Sequence, residues 1–248
     1  MSKLLWIAES FRLTLFPIKP LEPIAHWWSK LVGELPLVRN EIPRQGSVHE
    51  EGPLQAGKLV IETQPIRVDC VYASRDDQPP PDAAPHNVGV LAESLLAFRS
   101  LIDKLSVFKD FPELSRLAFG VILLSLVEDR KKGYEILSRY LPFKLDAENS
   151  SDFLYQINRS RVVNPLGTKI KINRLSKWSV MESRMLAFQI MPQVRMLQPS
   201  EVTTAVRLEL DINTSQETPI VFTKEQTFVT LPILVDNALE LAEKGDVP

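Results

Sequence analysis

The stretch LSRLAFGVILLSLVEDRKKGYEILSRYLP, Leu114 to Pro142, decides the fold class. Leu114 to Val127 is a nearly continuous apolar run, the pattern of a central strand with both neighbours paired. Glu128-Asp129 suit the positive end of a helix. Tyr134, Leu137 and Tyr140-Leu141 recur at helical spacing until Pro142 stops them. A buried strand feeding directly into a helix implies a mixed architecture. The longest apolar run, Leu117 to Val127, is about half the roughly 20 residues needed to cross a bilayer, so no membrane span is expected.

Downstream, Phe153–Val163, Lys169–Val180, Met185–Leu197 and Thr203–Asn213 alternate or are rich in strand formers. A last helix is expected from about Leu231 to Ala242, with Pro232 in its first turn and Gly245 after its end. Upstream, the same order is written once more. Ser10–Phe16 alternates until Pro17, and a helix beginning at Pro23 carries Ile24, Trp27, Trp28, Leu31 and Val32. Arg44–Glu51, Lys58–Thr63 and Ile66–Ala73 follow as strands, and a helix spans Val90 to Leu105. Between them SRDDQPPPDAAPH, Ser74 to His86, has the composition of a linker. The expected organisation is an N-terminal β-α-β-β-β half over residues 1–75, a Pro/Asp-rich linker over 76–87, a connecting helix over 88–110 and a C-terminal β-α-β4-α half over 111–248. The fold class is α+β, two halves each with a curved antiparallel sheet and helices on one face, in the element order of TATA-binding-protein-like or helix-grip architectures.

The formal charge of -2, from 29 Lys+Arg against 31 Asp+Glu, argues against a surface built wholly to neutralise phosphates. The distribution is uneven. Ser151–Ser200 holds eight basic and two acidic residues, a net of +6, and Glu201 onward holds three basic and nine acidic, a net of -6. Either the two blocks face each other across one sheet or the first leaves a free basic patch. Cys70, the single cysteine, sits in an apolar strand run, which points to a reducing compartment and a cytoplasmic protein. The first seventeen residues, interrupted by Glu9 and Arg12, make a poor signal peptide.

Neither G-x-x-x-x-G-K-[ST] nor G-x-G-x-x-G nor G-x-S-x-G occurs, so the sequence offers no phosphate loop and no nucleophile elbow. His26, His49 and His86 lack companions at metal spacing, and no cofactor or metal is expected. Glu209 and Asp211 in RLELDI share one face of a strand with Arg207. They are the candidate Mg2+ ligands of a nuclease, or else the solvated face of an amphipathic strand.

The segment Ser150–Val180 carries Ile-Asn-Arg twice around Asn-Pro-Leu-Gly and reads as a hairpin turning at Pro165-Leu166. With Val163 opposite Thr168, Phe153 faces Trp178, Ile157 faces Arg174, Arg159 faces Ile172 and Arg161 faces Ile170 on one side. Asn158, Lys169, Lys171, Asn173 and Lys177 lie on the other. Arg159, Arg161 and Arg174 are candidates for gripping an acidic partner. Lys169, Lys171 and Lys177 are candidates for contacting nucleic-acid phosphates. Trp27 and Trp28 lie roughly 100° apart on their helix, so Trp28 is expected in the core and Trp27 partly exposed at an interface.

The pieces LAFGVILLSLVEDRKKGYEILSRYLP, SSDFLYQINRSR and INRLSKWSV resemble a sporadically distributed family of bacterial proteins of about this length and of unassigned function. The resemblance spans most of the second half and implies a bacterial, cytoplasmic protein. Scattered occurrence is associated with accessory genes such as defence or toxin–antitoxin loci. The leading expectation is a non-catalytic binding or scaffold protein, a complex subunit engaging another protein or a second copy of itself. Nucleic-acid binding through the basic hairpin and Mg2+-dependent cleavage are the alternatives.

Overall fold

The computed structural model describes residues 4–21, 27–75, 85–191, 194–217 and 220–246, and only the backbone of those between 184 and 201. The chain order is β1 (Ile7–Pro17), α1 (Trp27–Val32), β2 (Val38–Ile42), β3 (Ser47–Leu54), β4 (Gly57–Gln64), β5 (Arg67–Ala73) and α2 (Leu91–Ser106). Then come β6 (Leu114–Val127), α3 (Arg130–Tyr140), β7 (Leu154–Asn158), β8 (Arg161–Val163), β9 (Ile170–Met191), β10 (Val194–Thr214) and α4 (Lys224–Lys244). The expected helix start at Pro23 and most of the expected linker lie outside the described residues.

All ten strands join one antiparallel sheet, ordered β2-β3-β4-β5-β1-β6-β10-β9-β7, with β8 also paired to β9. The run that opened the sequence argument is its centre, because β6 lies between β1 and β10. Alternation along each strand then sorts the side chains. Phe11, Leu13 and Leu15 of β1, Phe119 of β6, Ile212 of β10 and Trp178 of β9 point to the side on which the helices pack, and are almost wholly buried. Phe11 stacks on Phe98 of α2 at 5.2 Å, and Trp178 lies between Trp6 at 6.4 Å and Tyr140 of α3 at 5.8 Å.

Local chemistry sets the helix ends. Asp129 caps α3 by accepting from the Lys132 amide at 2.7 Å, and Thr223 and Gln226 close a capping box at the start of α4. That box corrects the expected start at Leu231. The helix begins two turns earlier, and Pro232 sits in its interior, where a proline withholds the amide that would bond the Phe228 carbonyl.

Several expectations change. The strand VRNEI, β2, was not foreseen. The first half thus places four strands after its helix and the second places three, the first of them broken into β7 and β8. Met185–Leu197 is no separate strand. It is the far end of a ribbon in which β9 and β10 pair with each other from Met191↔Val194 down to Glu182↔Thr204. The hairpin register also differs: Tyr155 opposes Trp178 and Arg161 opposes Ile172, two residues from the expected pairing. The cause is a 3-10 turn over Pro165–Gly167 with Leu166 and Gly167 at φ 48 and 79, which takes up two more residues than a tight turn. A slip of two keeps every side chain on its expected face.

Trp27 corrects the expected exposure. It is 4% exposed and Trp28 1%, because α1 is walled on two sides. Trp28 lies over Gly52 of β3, where an added Cβ would come 2.7 Å from its ring. Trp27 meets Phe108 at 5.6 Å and Phe111 at 6.2 Å in the segment leaving α2. A single core stripe on α1 would bury only one of the two rings, and the second apolar wall has no signature within the helix's own sequence.

Candidate binding face of the sheet

The three hairpin arginines face the helices and are engaged by the chain's own acidic end. Arg159 Nε is 2.5 Å from Asp246, Arg161 makes a two-nitrogen fork to Glu240 at 2.6 and 3.2 Å, and Arg174 reaches Glu240 at 3.5 Å. Tyr155 adds its hydroxyl to Asp246 at 2.6 Å. Glu240 is consequently held far below the carboxylate range, at about 2, chiefly by its hydrogen bond from Arg161. Burial, with the like charge of Arg161, pulls Arg174 below its ordinary value. The two opposite charge blocks therefore meet, but largely through α4 rather than across strands. Trp27, also a candidate for partner contact, is in the core.

The opposite face of the sheet is covered by no described element. Across its middle, register aligns Val71 of β5, Arg12 of β1, Gly120 of β6, Asp211 of β10 and Leu175 of β9 in one row. The next row aligns Ala73, Ser10, Ile122, Glu209, Lys177 and Gln156. Gly120 presents no side chain, and a hollow of about 540 Å³ opens over it, walled by Arg12, Ile122, Lys177, Glu209 and Asp211. Arg12 leans across the glycine, its Nε 3.8 Å from where a Cβ would stand.

Most charges on this face are already matched. Glu209 accepts from Lys177 and from Arg207, both at 2.9 Å, and Lys171 pairs with Glu217 at 2.7 Å. Arg67 pairs with Asp69, to which Thr14 also donates, Lys58 pairs with Glu51, and His49 lies between Glu62 and Glu51. Asp211 accepts from Asn213 at 2.9 Å. Among the described residues, Arg12, Arg116 and Lys169 have no ion-pair partner. Arg116 lies over the Phe16 ring at 5.2 Å, opposite Arg67 at 5.8 Å, and its Nε is buried without an acceptor.

The sequence candidates thus divide. Lys169, Lys171 and Lys177 do lie on the uncovered face, but two of the three are in ion pairs. Glu209 and Asp211 share it too, and among the described residues no group of three or more His, Cys, Asp or Glu is placed to hold a metal. Cys70 is buried, its thiol pushed up to about 12 by desolvation, and is no nucleophile in that state. Sequence reasoning missed Arg12, Arg116 and Gly120. The signal for Gly120 was present, since a glycine inside a strand marks a close approach or an open space. Among the described residues no helix is long and apolar enough to cross a membrane. Neither a scan of the chain against protein-family models nor a search of curated proteins finds a match.

Proposed function

We propose that this chain is a non-catalytic binding protein that holds another protein against the uncovered face of its sheet. The observation that carries this reading is the hollow over Gly120 at the centre of that face, where a flat layer of matched charges gives way to a recess with an unpaired guanidinium on its wall. The helices are gathered on the other side, where the hairpin arginines already engage Glu240 and Asp246, and this favours the open sheet as the binding face. The engagement of both candidate metal carboxylates by neighbouring side chains supports binding over hydrolysis.

The strand order, with β1 and β6 adjacent and each followed outward by the last strand of its own half, supports the two-halved, TATA-binding-protein-like reading. The resemblance of the second half to a sporadic bacterial family supports a cytoplasmic subunit in a bacterial defence or toxin–antitoxin assembly.

Tagged chain isolated from its native cells should retain one specific protein in stoichiometric amount. Gly120→Phe, which fills the hollow, should release it with the melting temperature unchanged. Recovery of nucleic acid in its place, lost steeply with added salt, would replace this reading with the basic-hairpin one.

A further inference from the structure

We infer that the uncovered face recognises an extended acidic segment of its partner, through carboxylates four residues apart that engage Arg12 and Arg116. The inference rests on the protein-binding reading above and names the chemistry of what is bound. Once the internal ion pairs are subtracted, the two central strands keep two guanidiniums without an anion, Arg12 on β1 and Arg116 on β6, and the neighbouring β10 keeps one carboxylate without a cation, Asp211. Arg116 stands opposite Phe16, four residues along β1 from Arg12. At about 3.3 Å per residue the two guanidiniums are roughly 13 Å apart along the strand direction, the span from residue i to i+4 of an extended chain, whose side chains at those positions share one face.

The lining between and beside them discriminates among anions. Phe16 offers a ring flanked by Arg67 and Arg116, suited to an apolar side chain next to the carboxylate that Arg116 holds. Glu209 and Asp211 wall the hollow beside Arg12, so a strand charged at every step, as a nucleic acid is, meets more repulsion there than a peptide that brings a single carboxylate to Arg12. Guanidinium–carboxylate pairing at two fixed points sets both register and direction.

The probe is a fluorescein-labelled extended peptide on a Thr/Val background with Glu at positions i and i+4, followed by anisotropy at low salt. It should bind the wild-type chain, its Gln counterpart should not, and Arg12→Ala and Arg116→Ala should each weaken it roughly tenfold. Arg116→Lys, which keeps the aliphatic stem over Phe16, guards against loss of folding and should retain part of the affinity. Equal binding of the Gln peptide, no binding at all, or displacement by oligothymidylate at lower concentration than by unlabelled peptide would overturn the inference. If the arginine variants keep the native partner while Gly120→Phe releases it, the acidic-segment inference fails and the face stands. If Gly120→Phe also keeps it, both fail.

Discussion

The Tyr155 hydroxyl donates to the Asp246 carboxylate at 2.6 Å, joining the first strand of the arginine hairpin to the residue that follows the cap of the last helix. Asp246 is buried, its amide donates to the Tyr140 carbonyl at 2.7 Å, and Arg159 completes its shell. This contact closes the C-terminal helix onto the sheet. Asp246→Ala should lower unfolding free energy by about 1–3 kcal/mol, the usual cost of stranding buried hydrogen-bond partners, as read by urea denaturation. Tyr155→Phe, which removes one bond and leaves Arg159 in place, should cost less.

Glu240 supplies the pH dependence. Its folded value near 2 lies below that of an unfolded glutamate, about 4.3. Its contribution is therefore complete above the unfolded value and is lost as pH falls from about 4.5 through 2. Thermal melts across that range should show the wild type losing stability more steeply than Glu240→Gln, whose curve lacks this component. Parallel slopes for the two proteins would contradict the assignment.

Both tryptophans of α1 should act as core residues. Trp27→Ala and Trp28→Ala are each expected to cost about 3–5 kcal/mol, because each leaves a cavity against fixed walls, Phe108 and Phe111 in one case and β3 in the other. Chemical denaturation of the two variants decides it. A small loss for Trp27→Ala alone would restore the exposed-interface expectation.

Gly133 of α3 is set by Val180 of β9: a Cβ on the glycine would come within 2.7 Å of a valine methyl. Gly133→Ala should destabilise by about 1–3 kcal/mol despite its better helix propensity. Val180→Ala introduced alongside should recover much of the loss. The double-mutant cycle then reports a coupling that neither residue reveals alone.

The residues by themselves determined what rests on short-range periodicity. The apolar run of β6 required neighbours on both sides, the alternation of β1, β5 and β10 sorted inward from outward side chains, and Asp129 and Gly245 marked helix ends. The two Ile-Asn-Arg copies fell on their expected faces even with the register displaced, because a shift of two residues preserves parity. A T-x-x-Q capping signature at Thr223 was also available, and it would have moved the start of α4 to its true place ahead of Pro232. Tertiary structure alone decided which partner each surface meets. Nothing near Arg161 in sequence announces Glu240, 79 residues away, so arginines that read as a partner's grip are spent on the chain's own last helix. Trp27 is buried by a wall contributed from beyond α2, and Arg12, Gly120 and Asp211 become one row only when β1, β6 and β10 pair. Burial and charge matching are properties of neighbours in space, and long-range strand pairing supplies most of those neighbours here, which is why the sheet's faces were legible in the sequence and the open hollow on one of them was not.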